Sequence, residues 1–268
     1  MKAEAFPDDG RLGEEVARIE KIINSPHMRD LRRRYQEKGG HRALRPRNAA
    51  SIILIDGKGP KARILMGQRN HSLTFMPGAL VFPGGSVDRA DSTAPAADTL
   101  DPVTEARILA NMRGKPTPRR ARALGMAAVR ELSEESGLLI GKPGNPAGEH
   151  PDWQDFRREN VVPSINGLVL FARAITPPGP PRRFDTWFFL AHAEEVAHEP
   201  PGGFRPSGEL EKLQWLTPHE AIKGQTREIT RVMLVELMHR LEADADLDSS
   251  WPVPFYRSVR SRFHRDMI

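Results

Sequence analysis

The sequence predicts an α/β fold, and three observations carry that prediction. Short β-type runs cluster between Gly- and Pro-rich turns from Ala49 onward, with Ser51 to Ile55 and Ala62 to Met66 the first of them. Longer stretches follow with apolar residues at helical spacing, one from about Ala121 to Ser136 and one from Thr226 to about Ala243. The chain has 268 residues, 38% of them hydrophobic, enough to bury a sizeable core in one enlarged domain or two small ones.

Composition removes several function classes. The chain has no Cys, so disulfides, thiolate zinc sites, iron–sulfur clusters and cysteine nucleophiles are excluded, and a reducing compartment fits. Its longest apolar runs, such as Gly167 to Phe171 and Trp187 to Ala191, are far shorter than the roughly 20 residues that cross a bilayer. The N-terminus lacks an apolar signal core, and Glu4, Asp8, Asp9, Glu14 and Glu15 argue against a transit peptide, so a cytoplasmic protein with no membrane partner is expected. The balance of 40 Lys+Arg against 35 Asp+Glu attracts anions but falls short of a dedicated nucleic-acid surface, which leaves phosphate-bearing small molecules as natural ligands.

In chain order, residues 1–48 form an N-terminal extension with a weak helical pattern (Val16, Ile19, Ile22, Ile23) and a basic patch (Arg29, Arg32, Arg33, Arg34), stopped by Pro46. The main domain is expected over residues 49–245. Its first two strands are joined by the turn-rich Asp56 to Pro60, and a third, Gly78 to Phe82, closes at Pro83-Gly84-Gly85. Residues from about 88 to 120 read as an insertion, in which Asp101 as N-cap and Pro102 at the first helical position start a helix to about Met112. The helix from Ala121 ends with Gly137 in the C-cap position. Strands are expected at Ile165 to Ala174 and Thr186 to Ala193, separated by the Pro-rich Thr176 to Pro181, with a shorter one at Leu213 to Leu216. Pro218 opens a helical region whose longer helix carries Ile229, Val232, Met233, Leu237 and Leu241 on one stripe. Residues 246–268 form an aromatic and basic tail that docks on the body or on a second subunit of a homodimer.

The chemistry concentrates in Ala127-Ala-Val-Arg-Glu-Leu-Ser-Glu-Glu-Ser-Gly137. On a helix, Glu131, Glu134 and Glu135 stand at i, i+3 and i+4, so three carboxylates share one side and repel one another. Glu131 also falls among Leu124, Ala127 and Ala128, the arc that should touch the body of the protein, and a partly buried carboxylate cluster is costly without a cation. Oxygen-only ligands favour Mg²⁺ or Mn²⁺, and Mg²⁺ takes substrate phosphates as further ligands. Arg130 can hold a neighbouring glutamate through a charge-assisted bond and fix its orientation.

The segment Arg130-Glu-Leu-Ser-Glu-Glu-Ser-Gly-Leu138 resembles the latter half of the Nudix box, and Phe82-Pro-Gly-Gly85 resembles its opening. The two are 45 residues apart from Gly85 to Arg130, about 31 more than the pattern allows, and Arg122 stands where the first box Glu belongs. Whether Asp88 replaces that carboxylate is left open. The run Arg69 to Gly85, the insertion, and Arg183-Phe-Asp-Thr186 before Phe188-Phe-Leu190 are similar to the coenzyme A and acyl-CoA diphosphatase branch, although the chain ends Asp266-Met-Ile268 without a peroxisomal address.

The resemblance implies a Nudix-fold α/β/α sandwich with a mixed β-sheet, enlarged by the insertion and by N- and C-terminal extensions. It also implies metal-dependent hydrolysis of a nucleoside diphosphate linked to another moiety, with CoA or acyl-CoA the best single substrate. Glu131, Glu134 and Glu135 would then be metal ligands, joined by the carbonyl of Gly84 or Gly85, and a box glutamate or Glu209 would be the general base. Arg69, Arg182 and Arg183 are candidates for phosphate recognition, since guanidinium offers a fork to phosphate. Asp185 is expected to pair with Arg183 or Arg182, and Phe75, Phe184 and Trp187 are candidates to stack on adenine. His71, His192 and His219 lack ligand spacing and are assigned no metal. ADP-ribose or NADH hydrolysis is the alternative within the same chemistry. A non-hydrolytic nucleotide-binding or RNA-binding module is the alternative from another class, motivated by the missing box Glu; nucleic acid is the less favoured partner.

Overall fold

The computed structural model describes residues 10–37, 45–72, 77–146, 148–178, 180, 182–205, 208–244, 246–259 and 262–268. Helices α1 (Arg11–Ile23) and α2 (Pro26–Glu37) come first, followed by strands β1 (Arg47–Asp56), β2 (Arg63–Arg69), β3 (Leu80–Val81) and β4 (Gly84–Ser86). Next are helices α3 (Pro102–Asn111) and α4 (Pro118–Ser136), strand β5 (Leu139–Pro143), helix α5 (Gln154–Arg158) and strands β6 (Val161–Pro163), β7 (Val169–Ile175), β8 (Phe184–His192) and β9 (Val196–His198). Strand β10 (Leu210–Leu216), helices α6 (Pro218–Ala221) and α7 (Glu228–Ala243), and strands β11 (Pro254–Val259) and β12 (Arg262–Met267) complete it.

The main sheet runs β10-β2-β1-β8-β7-β11-β12, with β3 on β2 and β4 on β1; β6-β5-β9 form a smaller sheet. It is mixed, because β1 pairs parallel with β8 and β11 parallel with β7 while the other pairs are antiparallel. Strand β1 explains the layering. Its run Ile52-Ile53-Leu54-Ile55 is apolar on both faces: Ile52 and Leu54 enter one core with Leu124, Ala128 and Leu132 of α4, and Ile53 and Ile55 enter another with Val232, Met233 and Leu237 of α7. Each fully buried Ile contributes about 1.5–3 kcal/mol relative to exposure. The result is an α/β/α sandwich.

Both extensions share the α7-side core. Leu12, Ile19 and Ile23 of α1 pack there, and Arg231 Nη2 of α7 pairs with Glu15 at 2.6 Å. Arg33 and Arg34 of the basic patch face Asp30, at 2.8 and 2.7 Å. At the other end, the aromatic segment forms the β11–β12 hairpin, which pairs with β7 and places Tyr256 and Phe263 in that core. The tail therefore docks on the body.

Local signals set most element ends. Asp101 Oδ1 accepts from the Val103 and Thr104 amides at 3.0 and 3.1 Å, and Gly137 closes α4 in the left-handed region at φ 79°. Helix α4 starts at Pro118 rather than Ala121, because Thr117 caps it through the Arg120 amide. Two strands are shorter than their sequence suggests. Within Gly78 to Phe82 only Leu80 and Val81 pair with β2, and β7 starts at Val169 because Asp98 takes the Ile165 and Asn166 amides at 2.8 and 3.1 Å. Four strands are longer: β1 and β2 extend to Arg47–Asp56 and Arg63–Arg69, β8 starts at Phe184, paired to Arg47, and β10 at Leu210, with a bulge where Lys212 has φ 48°. Residues 139–163, which carry no clear sequence pattern, hold β5, α5 and β6.

Candidate active site

The site forms where α4 crosses the Gly84-Gly85 turn. Strand β4 pairs Gly84 with Ser51 and Gly85 with Ala50, which brings the turn beneath the acidic side of α4. Gly84 has φ 156°, and a Cβ there would lie 2.6 Å from the Ala50 carbonyl oxygen, so only glycine fits. A Cβ on Gly85 would lie 2.4 Å from Glu131 Oε1; the carboxylate rests directly on the glycine. The Gly84 amide donates to Glu135 Oε2 at 2.9 Å.

Arg130 organises the rest. Its Nε and Nη2 donate to the two carboxylate oxygens of Asp91 at 2.8 and 3.1 Å, and Nη2 also donates to the Ser86 carbonyl at 2.9 Å. Nη1 bridges Glu131 Oε1 and Glu134 Oε2 at 2.9 and 3.0 Å. All five guanidinium N–H groups are thus used, the most an arginine can offer. Asp91 is fully buried, and the Asp88 amide donates to its Oδ2 at 2.7 Å. Asp88 therefore enters this network through its backbone.

Sequence reasoning missed Asp91. It lies in the insertion, 39 residues before its partner, and nothing local distinguishes it from the other acids there. Arg122, in the place of the first box Glu, donates to the carbonyls of Asp91 and Ala94 and so ties the insertion to α4.

Burial raises the proton affinity of all three glutamates. Burial pushes the Glu131 carboxyl up to about 7, because loss of water outweighs the opposing charge of Arg130. Glu135 is raised well above the usual carboxylate range by burial and by the charge of Glu131, against the Gly84 amide. Glu134 is raised by burial, with Arg130 opposing. Among the described residues no three acidic or histidine side chains converge into a ready-made metal cage. That arrangement still fits Mg²⁺, which is held by one or two carboxylates together with waters and substrate phosphates rather than by an all-protein cage. The donors are all oxygen, and the burial that raises their proton affinity is a cost that a bound cation would offset.

A cleft of about 370 Å³ opens beside the trio, with Glu131, Gly85, Arg69, Arg182, Glu209 and Phe184 in its walls. Arg69 Nη2 and Glu209 Oε2 stand 3.9 Å apart across it. The other sequence candidates lie elsewhere. Arg183 turns its Nε to the Thr176 carbonyl at 2.9 Å. Asp185 pairs with Arg173, Oδ1 and Oδ2 each at 2.7 Å, and not with Arg182 or Arg183, because alternation along β8 points it away from Phe184 and Thr186 into the sheet interior. Trp187 points the same way and is buried under the Arg173 guanidinium, 4.3 Å from its ring centre, so it has no face left for adenine. Phe75 lies outside the described residues.

The NUDIX domain family matches residues 121–237, from near the start of α4, and so including the carboxylate trio, to within α7. Residues 121–237 thus form a NUDIX domain. The Nudix match begins after the insertion, so the Gly84-Gly85 turn lies outside it in sequence; the pairing of β4 with β1 restores the turn to the helix in space. The chain is 31% identical to a nudix hydrolase of Caenorhabditis elegans over 66% of this chain and 53% of that protein. It is 30% identical to the human acyl-coenzyme A diphosphatase NUDT19 over 68% of this chain and 65% of that protein. The chain thus spans between half and two thirds of the length of these relatives. A NUDIX hydrolase crystal structure from Alicyclobacillus acidocaldarius shares the fold with TM-score 0.52 at 22% identity, over 72% of this chain and 90% of that one.

The Glu131 contact makes a prediction for the turn of this Nudix domain. Gly85→Ala drives a methyl group into the Glu131 carboxylate, the mobile end of a side chain, so it displaces that group rather than unfolding the protein. Turnover falls by about a hundredfold while the melting temperature barely moves. Equal activity in the variant would show that Glu131 has no need to rest on this glycine.

Proposed function

We propose that the chain is a divalent-cation-dependent diphosphatase that cleaves a nucleoside diphosphate linked to a second moiety. CoA or acyl-CoA is the proposed substrate, and 3′,5′-ADP and phosphopantetheine, free or acylated, the products. The observation that carries this reading is one cleft with Arg69 and Arg182 in its walls beside Glu131 and Gly85. Guanidinium groups suit phosphate oxygens, and the carboxylate side suits the cation that a diphosphate requires. The similarity to the human acyl-coenzyme A diphosphatase supports the CoA part.

Glu131, Glu134, Glu135 and the Gly85 carbonyl would hold Mg²⁺ or Mn²⁺, which when bound neutralises phosphate charge and lowers the pKa of the attacking water. Arg130 keeps Glu131 and Glu134 oriented. Glu209 accepts the proton of the water from the cleft wall, Arg69 and Arg182 bind phosphate, and Phe184 offers a ring to the base. Arg183 braces the start of β8 instead. Residues 49–245 carry this chemistry, and the cysteine-free sequence fits a cytoplasmic setting. No helix among the described residues is long and apolar enough to cross a membrane.

Ion chromatography of products after incubation with CoA, ADP-ribose, NADH and Ap4A, with Mg²⁺ or Mn²⁺, tests the proposal. Release of 3′,5′-ADP from CoA supports it, and cleavage of ADP-ribose or NADH alone moves the substrate. Nucleotide binding without turnover of any of the four overturns hydrolysis in favour of a binding module.

Proton competition supplies an independent check. Because the Glu131 carboxyl is raised from 4.5 to about 7, the folded protein holds this proton longer than the unfolded chain does. The stability it contributes is full below pH 4.5 and lost as pH rises toward 7. A cation binds the ionised form, so the rise in Tm on adding Mn²⁺ grows from about pH 5.5 to about pH 8. A Mn²⁺ effect that is absent, or equal at both ends, would remove the carboxylates from the metal site.

A further inference from the structure

A second cavity, about 330 Å³, opens on the same sheet face between α1, the ends of β7 and β8, and the first turn of α7. Its lining is apolar almost throughout, led by Ile19, Ile22, Ile23, Ile175, Ile229 and Phe263, with Arg227 and Glu228 at its margin. Two side chains of β8, Thr186 and Phe188, line both this groove and the charged cleft. Consecutive residues of α7 divide in the same way: Ile229 faces the groove and Thr230 the cleft. The two cavities are therefore neighbours across a common wall, one lined with arginines and carboxylates and the other with isoleucines.

A ligand that satisfies both at once is amphiphilic. We propose that the groove holds the apolar tail of the substrate whose diphosphate lies in the cleft, which makes the preferred substrate a nucleoside diphosphate bearing a long acyl chain. The inference rests on the assignment of the cleft to the diphosphate. It gives α1 a function, since the N-terminal helix supplies Ile19, Ile22 and Ile23 and so builds a wall of the groove. The groove touches no reacting atom, so the tail binds equally in ground and transition states, and its contribution falls on KM rather than kcat up to the point where another step limits.

Two measurements on the full chain test this. First, kcat/KM is compared along a series of straight-chain acyl-CoA esters from acetyl to palmitoyl. It rises about fourfold for each added methylene until the groove is full, mainly through KM. Second, a fluorescent long-chain fatty acid is titrated into the protein without nucleotide, and it binds saturably and is displaced by palmitoyl-CoA. Ile22→Glu puts a charge at the groove edge on a residue already 37% exposed, and Ile229→Trp fills the groove; circular dichroism confirms that both fold. Both variants weaken the probe by about tenfold or more and flatten the chain-length series.

A flat series in the wild-type enzyme, absent probe binding, or variants that bind the probe as well as wild type would each overturn the proposal. If no CoA ester is cleaved at all, the diphosphatase assignment fails, and the probe titration still decides the groove. A groove covered by a second copy of the chain would take up no probe and would give a dimer by light scattering that Ile22→Glu dissociates.

Discussion

Glu134→Gln lowers kcat by roughly a thousandfold while leaving the fold intact. The size follows from what a cation supplies to phosphate chemistry, several kcal/mol of charge stabilisation, with about 1.4 kcal/mol for each tenfold in rate. The structural indifference follows from placement. The Glu134 side chain is 41% exposed, and its hydrogen bond goes to Arg130, whose other four N–H groups keep their acceptors when the charge is removed. The neutral amide preserves shape and removes only the anionic oxygen. Steady-state kinetics at saturating Mn²⁺, beside thermal melting, separates the two effects. A variant with near wild-type kcat would take Glu134 out of the metal site, and one that melts far below wild type would make it structural.

Asp91→Ala has the opposite signature, because it attacks stability first. Arg130 and Asp91 are both almost wholly buried, at 3% and 0% side-chain exposure, so removal of Asp91 strands a guanidinium in the interior with two donors unmet. Breaking such a pair costs about 3–5 kcal/mol, which for a domain of this size lowers Tm by about 10 °C. The Arg130 pKa makes the same point: burial acts to lower it, yet the Asp91 bond and the charges of Glu131, Asp91 and Glu134 leave it raised. Activity falls with stability, since the arginine that loses Asp91 is the one that bridges Glu131 and Glu134. A double replacement, Asp91→Leu with Arg130→Met, recovers much of the melting temperature without recovering turnover. A Tm within about 2 °C of wild type for Asp91→Ala would show that the pair is dispensable.

The Asp91 result also marks the limit of what spacing reveals. The carboxylate trio was legible because it is local: three glutamates within five residues of one helix share a side by helical geometry alone, whatever the rest of the chain does. Gly84 and Gly85 were legible for a related reason, since a tight turn after a strand and a close backbone approach both call for glycine. Asp91 acts across 39 residues, and no pattern within either segment distinguishes it from Asp88 or Asp98.

The main sheet divides along the same line. Alternation and turn residues predicted β1, β2, β7 and β8, whose apolar runs are continuous. They failed for Gly78 to Phe82, where only two residues find a partner, and for Ile165 and Asn166, whose amides bond to a distant carboxylate. Asp185 and Trp187 illustrate the remaining case. Trp187 suits an adenine site by residue type, and Asp185 suits pairing with Arg182 or Arg183 beside the cleft, but the pleat of β8 sends both to the opposite face.

By itself, then, the order of residues determined the long central strands and the main helices, the acidic helix face and the glycine turn, because each depends on interactions within a few residues. Only the folded chain decided which arginines share a cleft with the carboxylates, that the insertion returns an aspartate to hold Arg130, and that α1 walls an apolar groove beside the charged cleft. Those are contacts between segments far apart in sequence, and the geometry that selects them is set by how two cores close on the two faces of one sheet.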